Sequence, residues 1–211
     1  DTVLEGDYTS LGDGWDAAMT LAGDTKKMKD NGYDRVVVDL YADWTAVKGE
    51  FCNSGDGFDW DAIYFPDDVR VTVNMNGHTI NRGLTDNEAN GEVIYVDEGA
   101  DLIINGGKMT DPIARPDTAN EDVKFGTITG GNNDGGAGGI HIQDDANVTL
   151  NNVKIVNNVA DGDYGAGIAV YDGATLTMNG GGFINNKNNS YTATTWGIYA
   201  LGAGVYIEDS T

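Results

Sequence analysis

Apolar and polar positions alternate along most of this chain, and the alternation recurs in blocks. Ile63-Tyr64-Phe65-Pro66-Asp67, Ile94-Tyr95-Val96-Asp97-Glu98, Ile140-His141-Ile142-Gln143-Asp144, Ile168-Ala169-Val170-Tyr171-Asp172 and Val205-Tyr206-Ile207-Glu208-Asp209 follow one rule: two apolar residues flank a third, and an acidic residue comes two positions after. The first four blocks stay in step through Val69, Ala100, Ala146 and Ala174, then Val71, Leu102, Val148 and Leu176, then Val73, Ile104, Leu150 and Met178. An asparagine follows each time, as Asn74, Asn105, Asn151 and Asn179. A period of two is the strand period. Self-similar strand units predict a solenoid, in which each repeat buries its apolar face against its neighbours.

The openings Ile63, Ile94, Ile140, Ile168 and Val205 lie 31, 46, 28 and 37 residues apart. Strand register is kept while loops absorb insertions, as at 110–123 and 187–196. The third repeat reads as three short strands, at 139–143, 147–150 and 153–156. Three strands per turn, stacked in parallel, predict an all-β chain with three sheets around a narrow core. The four asparagines are then expected to stack as one buried ladder of amides.

Ahead of the repeats, Asp13 is placed to cap a helix starting at Gly14-Trp15. Trp15, Ala18, Met19 and Ala22 share a face, and Asn31-Gly32 marks the stop. Such a helix would cover the exposed strand edges at the solenoid's end. An entry strand is expected from Arg35 to Leu40, and a loop over 47–57. Residues 1–59 thus form an N-terminal α-helical cap and residues 60–211 the rungs. The chain stops part-way through a repeat, as expected of a piece of a longer protein.

In each block the first and third residues point inward, so the second and fourth are expected to face solvent. Tyr64, Tyr95, His141, Ala169 and Tyr206 make one outward column, and Pro66, Asp97, Gln143, Tyr171 and Glu208 the next. Aromatic rings beside carboxylates and amides suit sugars, whose apolar faces stack on rings while polar groups fix hydroxyls. The candidate ligand-binding residues are therefore Tyr64, Tyr95, Asp97, His141, Gln143, Tyr171, Tyr206 and Glu208. Exposed tyrosines also simply favour sheet surfaces. Asp67, Glu98, Asp144, Asp172 and Asp209 form an acidic column. Either they occupy turns where carboxylates accept backbone N–H groups, or a calcium ion bridges some of them, with Asp144 and Asp172 as candidate ligands. Asp86 to Asp97 departs from a calcium-loop pattern at two positions, and Asp161-Gly162-Asp163 is a weaker cation candidate. No cofactor other than calcium is implied.

The formal charge of -22 and a pI near 4.1 argue against nucleic acid and anionic membranes as partners. Cys52 is the only cysteine, so no internal disulfide can form. Thirty-one glycines against three prolines suit short strands joined by tight turns. No stretch reads as a membrane span or a signal peptide.

Residues 135–186 resemble the right-handed parallel β-helix, or pectin-lyase-like, superfamily, and within it the repeats of polymorphic outer-membrane proteins and related bacterial adhesins. The family's Gly-Gly-Ala-Ile motif is echoed by Gly135-Gly136-Ala137-Gly138-Gly139-Ile140 and Gly165-Ala166-Gly167-Ile168. Its Phe-x-x-Asn motif is matched by Phe183-Ile184-Asn185-Asn186, with Ile155-Val156-Asn157-Asn158 as a variant, and Asn76-Gly77-His78-Thr79-Ile80 resembles a phrase near the start of such helices. The resemblance implies a right-handed coil. It also implies a secreted or cell-surface bacterial binding module that recognises a glycan or glycoprotein of host or neighbouring cells. The alternatives are a polysaccharide lyase or glycoside hydrolase of this fold, and a structural stalk. For a lyase the arginines are misplaced: only Arg70 lies in a repeat strand, on the second sheet. For a polygalacturonase-like hydrolase Asp144-Asp145 is present but the accompanying motifs are missing. His141 is the best-placed titratable side chain, without a partner legible in the sequence. No catalytic residue is assigned.

Overall fold

The structure is a computed structural model that describes residues 6, 8, 11–46, 63–84, 91–107, 123–133, 136–161, 165–189, 192–194, 197–199 and 203–210. The loop expected at 47–57, Cys52, most of the 110–123 insertion, Asp86 to Asn90, and Gly162 and Asp163 lie outside these residues.

The N-terminal part is helical, but as two helices. α1 runs Leu11–Gly23 and α2 runs Thr25–Asn31. Asp13 falls inside the first turn of α1 rather than capping it. The cap that the sequence reading missed is Asp24, whose side chain accepts from the Lys27 N–H at 2.8 Å and restarts the helix. Gly32, at φ 70°, closes α2, with Tyr33 N–H reaching Met28 O at 2.9 Å. Trp15 and Ala22 are buried, as the amphipathic pattern required. The Trp15 ring meets Phe65 edge-on at 4.8 Å, and its Nε1–H donates to Tyr64 O at 3.1 Å. One tryptophan thus covers apolar surface and satisfies an edge-strand carbonyl.

The strands follow as β1 (Val36–Asp39), β2 (Trp44–Thr45), β3 (Ile63–Phe65), β4 (Arg70–Asn74), β5 (Thr79–Asn81), β6 (Ile94–Val96), β7 (Asp101–Asn105), β8 (Gly126–Thr129), β9 (Asn132–Asn133), β10 (Ile140–Ile142), β11 (Asn147–Val156), β12 (Val159–Ala160), β13 (Ile168–Val170), β14 (Thr175–Ile184), β15 (Lys187–Asn188), β16 (Thr192–Thr194), β17 (Gly197–Tyr199) and β18 (Val205–Ile207). Apart from the β16–β17 hairpin, the strands pair in parallel. One sheet has the order β18-β13-β10-β6-β3, with Ile63, Ile94, Ile140, Ile168 and Val205 in one row. The repeat read from the sequence is therefore the pairing register of this sheet.

The second and third strands of each repeat belong to one curled, eight-stranded sheet rather than two separate ones. β11 explains why. Its Asn147–Asn151 half pairs with β7, and its Val153–Val156 half pairs with β8. The strand rounds the corner at Asn152, which is buried with φ 52°. β14 makes the same corner on Gly180 and Gly181, at φ 72° and 81°. A further short sheet, β15-β12-β9, was not foreseen. Inside the curl, Phe65, Val71, Leu102, Ile104, Ile128, Ile140, Ile142, Leu150 and Ile155 are fully buried. Burying such a side chain stabilises by about 1.5–3 kcal/mol, so this column is the main source of stability.

The asparagine ladder forms in the expected order. Asn105 Nδ2 donates to Asn74 Oδ1 at 2.9 Å, Asn151 to Asn105 at 2.8 Å and Asn179 to Asn151 at 3.0 Å, while Asn74 donates onward to Asp39 at 2.7 Å. It is not buried. Val73, Ile104 and Leu150 point inward, so the next residue in each strand points out, and these amides are half-exposed to exposed. Water can replace the lost partners, so Asn151→Ala should cost only about 0.5–1 kcal/mol in a urea melt. A loss of several kcal/mol would show that the ladder carries the sheet.

Candidate functional site

The outward face of the β18-β13-β10-β6-β3 sheet carries a continuous ladder of rings. Tyr64 and Tyr95 stack at 5.7 Å and 27°, Tyr95 and His141 lie 4.9 Å apart, His141 and Tyr171 5.0 Å, and Tyr171 and Tyr206 5.6 Å. Strand register alone would break this row at Ala169, which pairs with His141 and Tyr206. Tyr171, two residues on, leans back over Ala169 and fills the gap, with Ala137 packed beside them. The small side chain at 169 is what makes room for that ring.

This geometry corrects one expectation. The face is not uniformly open to solvent: His141 and Tyr171 are only 9% and 8% exposed, and Ala169 is buried. The rings also contact one another: Tyr64 and Tyr95 are stacked, and the other neighbouring pairs are tilted by 46° to 55°. The Tyr64 and Tyr206 hydroxyls pair with neighbouring carboxylates, whereas the Tyr171 hydroxyl is buried. Tyr64 Oη–H donates to Asp97 Oδ2 at 2.6 Å, and Tyr206 Oη–H to Glu208 Oε2 at 2.7 Å. Gln143 Nε2 stands 2.8 Å from His141 Nε2. Each predicted polar residue thus engages the ring two positions before it in its own strand or in a neighbouring rung. Burial, then the bond to Asp97, holds the Tyr64 phenol protonated far above its usual range.

Beneath the middle of the ladder lies a polar group that the sequence did not reveal. His141 Nδ1 is 3.4 Å from Glu92 Oε1, and Asn133 Nδ2 donates to Glu92 Oε2. Glu92 and Asn133 are each 4% exposed. Gly136 lies so close to His141 that a Cβ there would sit 3.0 Å from Nδ1. Glu92 follows Gly91 and precedes the apolar Val93-Ile94 pair, a charge at the mouth of a strand. That charge was the one available signal, and it was obscured by the acid-rich stretch before it.

The acidic column lies at turn and bend positions. Asp144, Asp172 and Asp209 take φ 26°, 48° and 47°, and Glu98 N–H is held by Asp97 Oδ1 at 3.0 Å. No group of three or more His, Cys, Asp or Glu placed to hold a metal occurs among the described residues. Carboxylates also couple in pairs, Asp67 with Asp97 and Asp144 with Asp172. Desolvation first, then the neighbouring Asp97 charge, raises the Asp67 carboxyl above its usual range; desolvation and then Asp172 do the same for Asp144. A carboxyl raised in the folded state binds more protons folded than unfolded. Its contribution to stability is present at low pH and is lost as pH rises through the folded value. Stability from these pairs should therefore increase as pH falls from neutral toward the carboxylate range. Asp144→Asn should raise the neutral-pH melting temperature by about 1 °C, solvent screening the rest, and flatten that part of the profile. A parallel pH profile for the variant would dismiss the pairing.

Arg70 is held by Asp34 and, at 3.2 Å, by Asp101, where Arg35 also binds at 2.9 Å. It stands on β4, away from the ladder. No helix among the described residues is long and apolar enough to cross a membrane. No known family model, curated protein or solved structure matches this chain.

Proposed function

We propose that this chain is part of a right-handed parallel β-helix of the pectin-lyase-like kind, belonging to a secreted or cell-surface bacterial module that binds an extended glycan or glycoprotein. The observation that carries the reading is the ring ladder itself. Five rings, one on each rung of the parallel sheet and 4.9 to 5.7 Å apart, run beside three polar partners on the β6, β10 and β18 rungs. A row of rings and polar groups along successive rungs fits an extended chain better than a small closed ligand. Because His141 and Tyr171 are nearly buried, recognition runs mainly through hydrogen bonds from sugar hydroxyls to Tyr64, Asp97, Gln143, Tyr206 and Glu208.

The test is a glycan array followed by incubation of the bound glycan with the protein. Binding without release of reducing ends or unsaturated products is expected. Asp97→Asn with Glu208→Gln should weaken it roughly tenfold, two modest hydrogen bonds being lost. Silence across the array, or binding indifferent to both changes, would overturn the reading.

One observation favours the enzyme alternative, a lyase or glycoside hydrolase: Glu92 beside His141 has the composition of an acid–base pair. Product release abolished by His141→Ala would establish it.

A further inference from the structure

We propose that protonation of His141 reverses the hydrogen-bonding character of the ladder's middle rung, with Glu92 as counter-charge and Gln143 as the group that turns over. The inference rests on reading the ladder face as the binding surface, and it deepens that reading by giving the site a proton-linked control.

Of the side-chain types in the ladder, only histidine has an unperturbed charge change between pH 5 and 8. Both nitrogens of His141 are engaged. Nε2 lies 2.8 Å from Gln143 Nε2, so the neutral imidazole accepts there from the amide NH2 and carries its hydrogen on Nδ1, toward Glu92. When Nε2 gains a proton, two donors face each other at that distance. A side-chain amide ends in a roughly two-fold torsion, so rotation by half a turn is the cheapest relief. It brings Gln143 Oε1 to the imidazolium and turns the NH2 to the half-exposed outer side. The rim at this rung changes from acceptor to donor.

The surroundings keep the charged ring in place. Glu92, ahead of β6, is anchored by Asn133 and supplies the opposite charge. Tyr95 of β6 and Tyr171, just after β13, flank the ring at 4.9 and 5.0 Å, within cation–π range. Gly136 and Ala137 cover it without adding charge. Asp97, the carboxylate on the neighbouring rung, is committed to Tyr64. Ligand groups that only accept hydrogen bonds, such as carboxylates or N-acetyl carbonyls, therefore gain at this rung in acid.

The experiment follows the protein alone by NMR between pH 5 and 8. The His141 ring nitrogens and the Gln143 side-chain amide should shift with one shared midpoint. In Glu92→Gln that midpoint should fall by roughly one pH unit, because an opposite charge has gone. Gln143 amide signals that stay still while His141 titrates would overturn the proposal, as would an unmoved midpoint in a folded Glu92→Gln chain. Should that variant not fold, the wild-type titration decides. No glycan enters the measurement, so failure of the proton-linked turnover is told apart from a silent array, which would remove the binding role assigned to it.

Discussion

Gly139→Ala should cost about 3 kcal/mol of folding stability, seen as a lower urea midpoint at unchanged slope. A Cβ at this position would lie 2.2 Å from Gly167 O, 3.1 Å from Ile155 Cγ2 and 3.2 Å from Asn158 Nδ2. The first contact is backbone and cannot swing aside. Gly167 O already accepts from Ile140 N–H at 2.9 Å, so relief would break the link between two rungs. Gly167 repeats the situation one rung on, where a Cβ would meet Gly204 O at 2.3 Å and the Phe183 ring at 2.8 Å. Gly23 is the control: nothing lies within 4 Å of its would-be Cβ, and Gly23→Ala should leave stability unchanged or slightly higher. Equal midpoints for Gly139→Ala and wild type would refute the close-packed glycine column.

Asn158→Ala should cost about 2–3 kcal/mol, several times the expected loss at Asn151. Asn158 is 0% exposed. Its Oδ1 accepts from Gly131 N–H at 3.0 Å, and its Nδ2 reaches Ile128 O at 3.3 Å and Asn186 Oδ1 at 3.1 Å. Asn186 in turn donates to Ile155 O at 2.8 Å and accepts from Asn158 N–H at 3.0 Å. Removing the amide takes the side-chain partner from Gly131 N–H and Ile128 O of the neighbouring rung, at a buried position where water cannot replace it. The check is a side-by-side melt of Asn158→Ala and Asn151→Ala; equal losses would mean that burial does not separate the two amide rows.

These two sites explain the glycine-rich and Phe-x-x-Asn segments as one contact. Ile155 and Asn158 pack against Gly139, and Phe183 packs against Gly167. The glycine leaves the space that the apolar residue and the amide fill. A buried amide was therefore present in the sequence, at Asn158, bonded to the half-buried Asn186, while the ladder expected to be buried stands half in water.

The chain's local pattern was enough to specify its rows. Alternation at Ile63, Ile94, Ile140, Ile168 and Val205 selects strands and sets their register, because slipping by one residue would turn every apolar side chain outward. The apolar face of Trp15, Ala18, Met19 and Ala22 likewise marks the covering helices. What the pattern could not determine depends on residues far apart in the chain. Whether β11 ends at a corner or runs through it depends on Asn152 accepting a left-handed backbone, which many asparagines never do. Whether His141 faces water depends on Tyr171 leaning across Ala169 and on Ala137 packing over both. Its pairing with Glu92 required the coil to bring separate rungs together. Local alternation tells a side chain which face of a strand it occupies; only the folded neighbourhood decides whether that face stays wet.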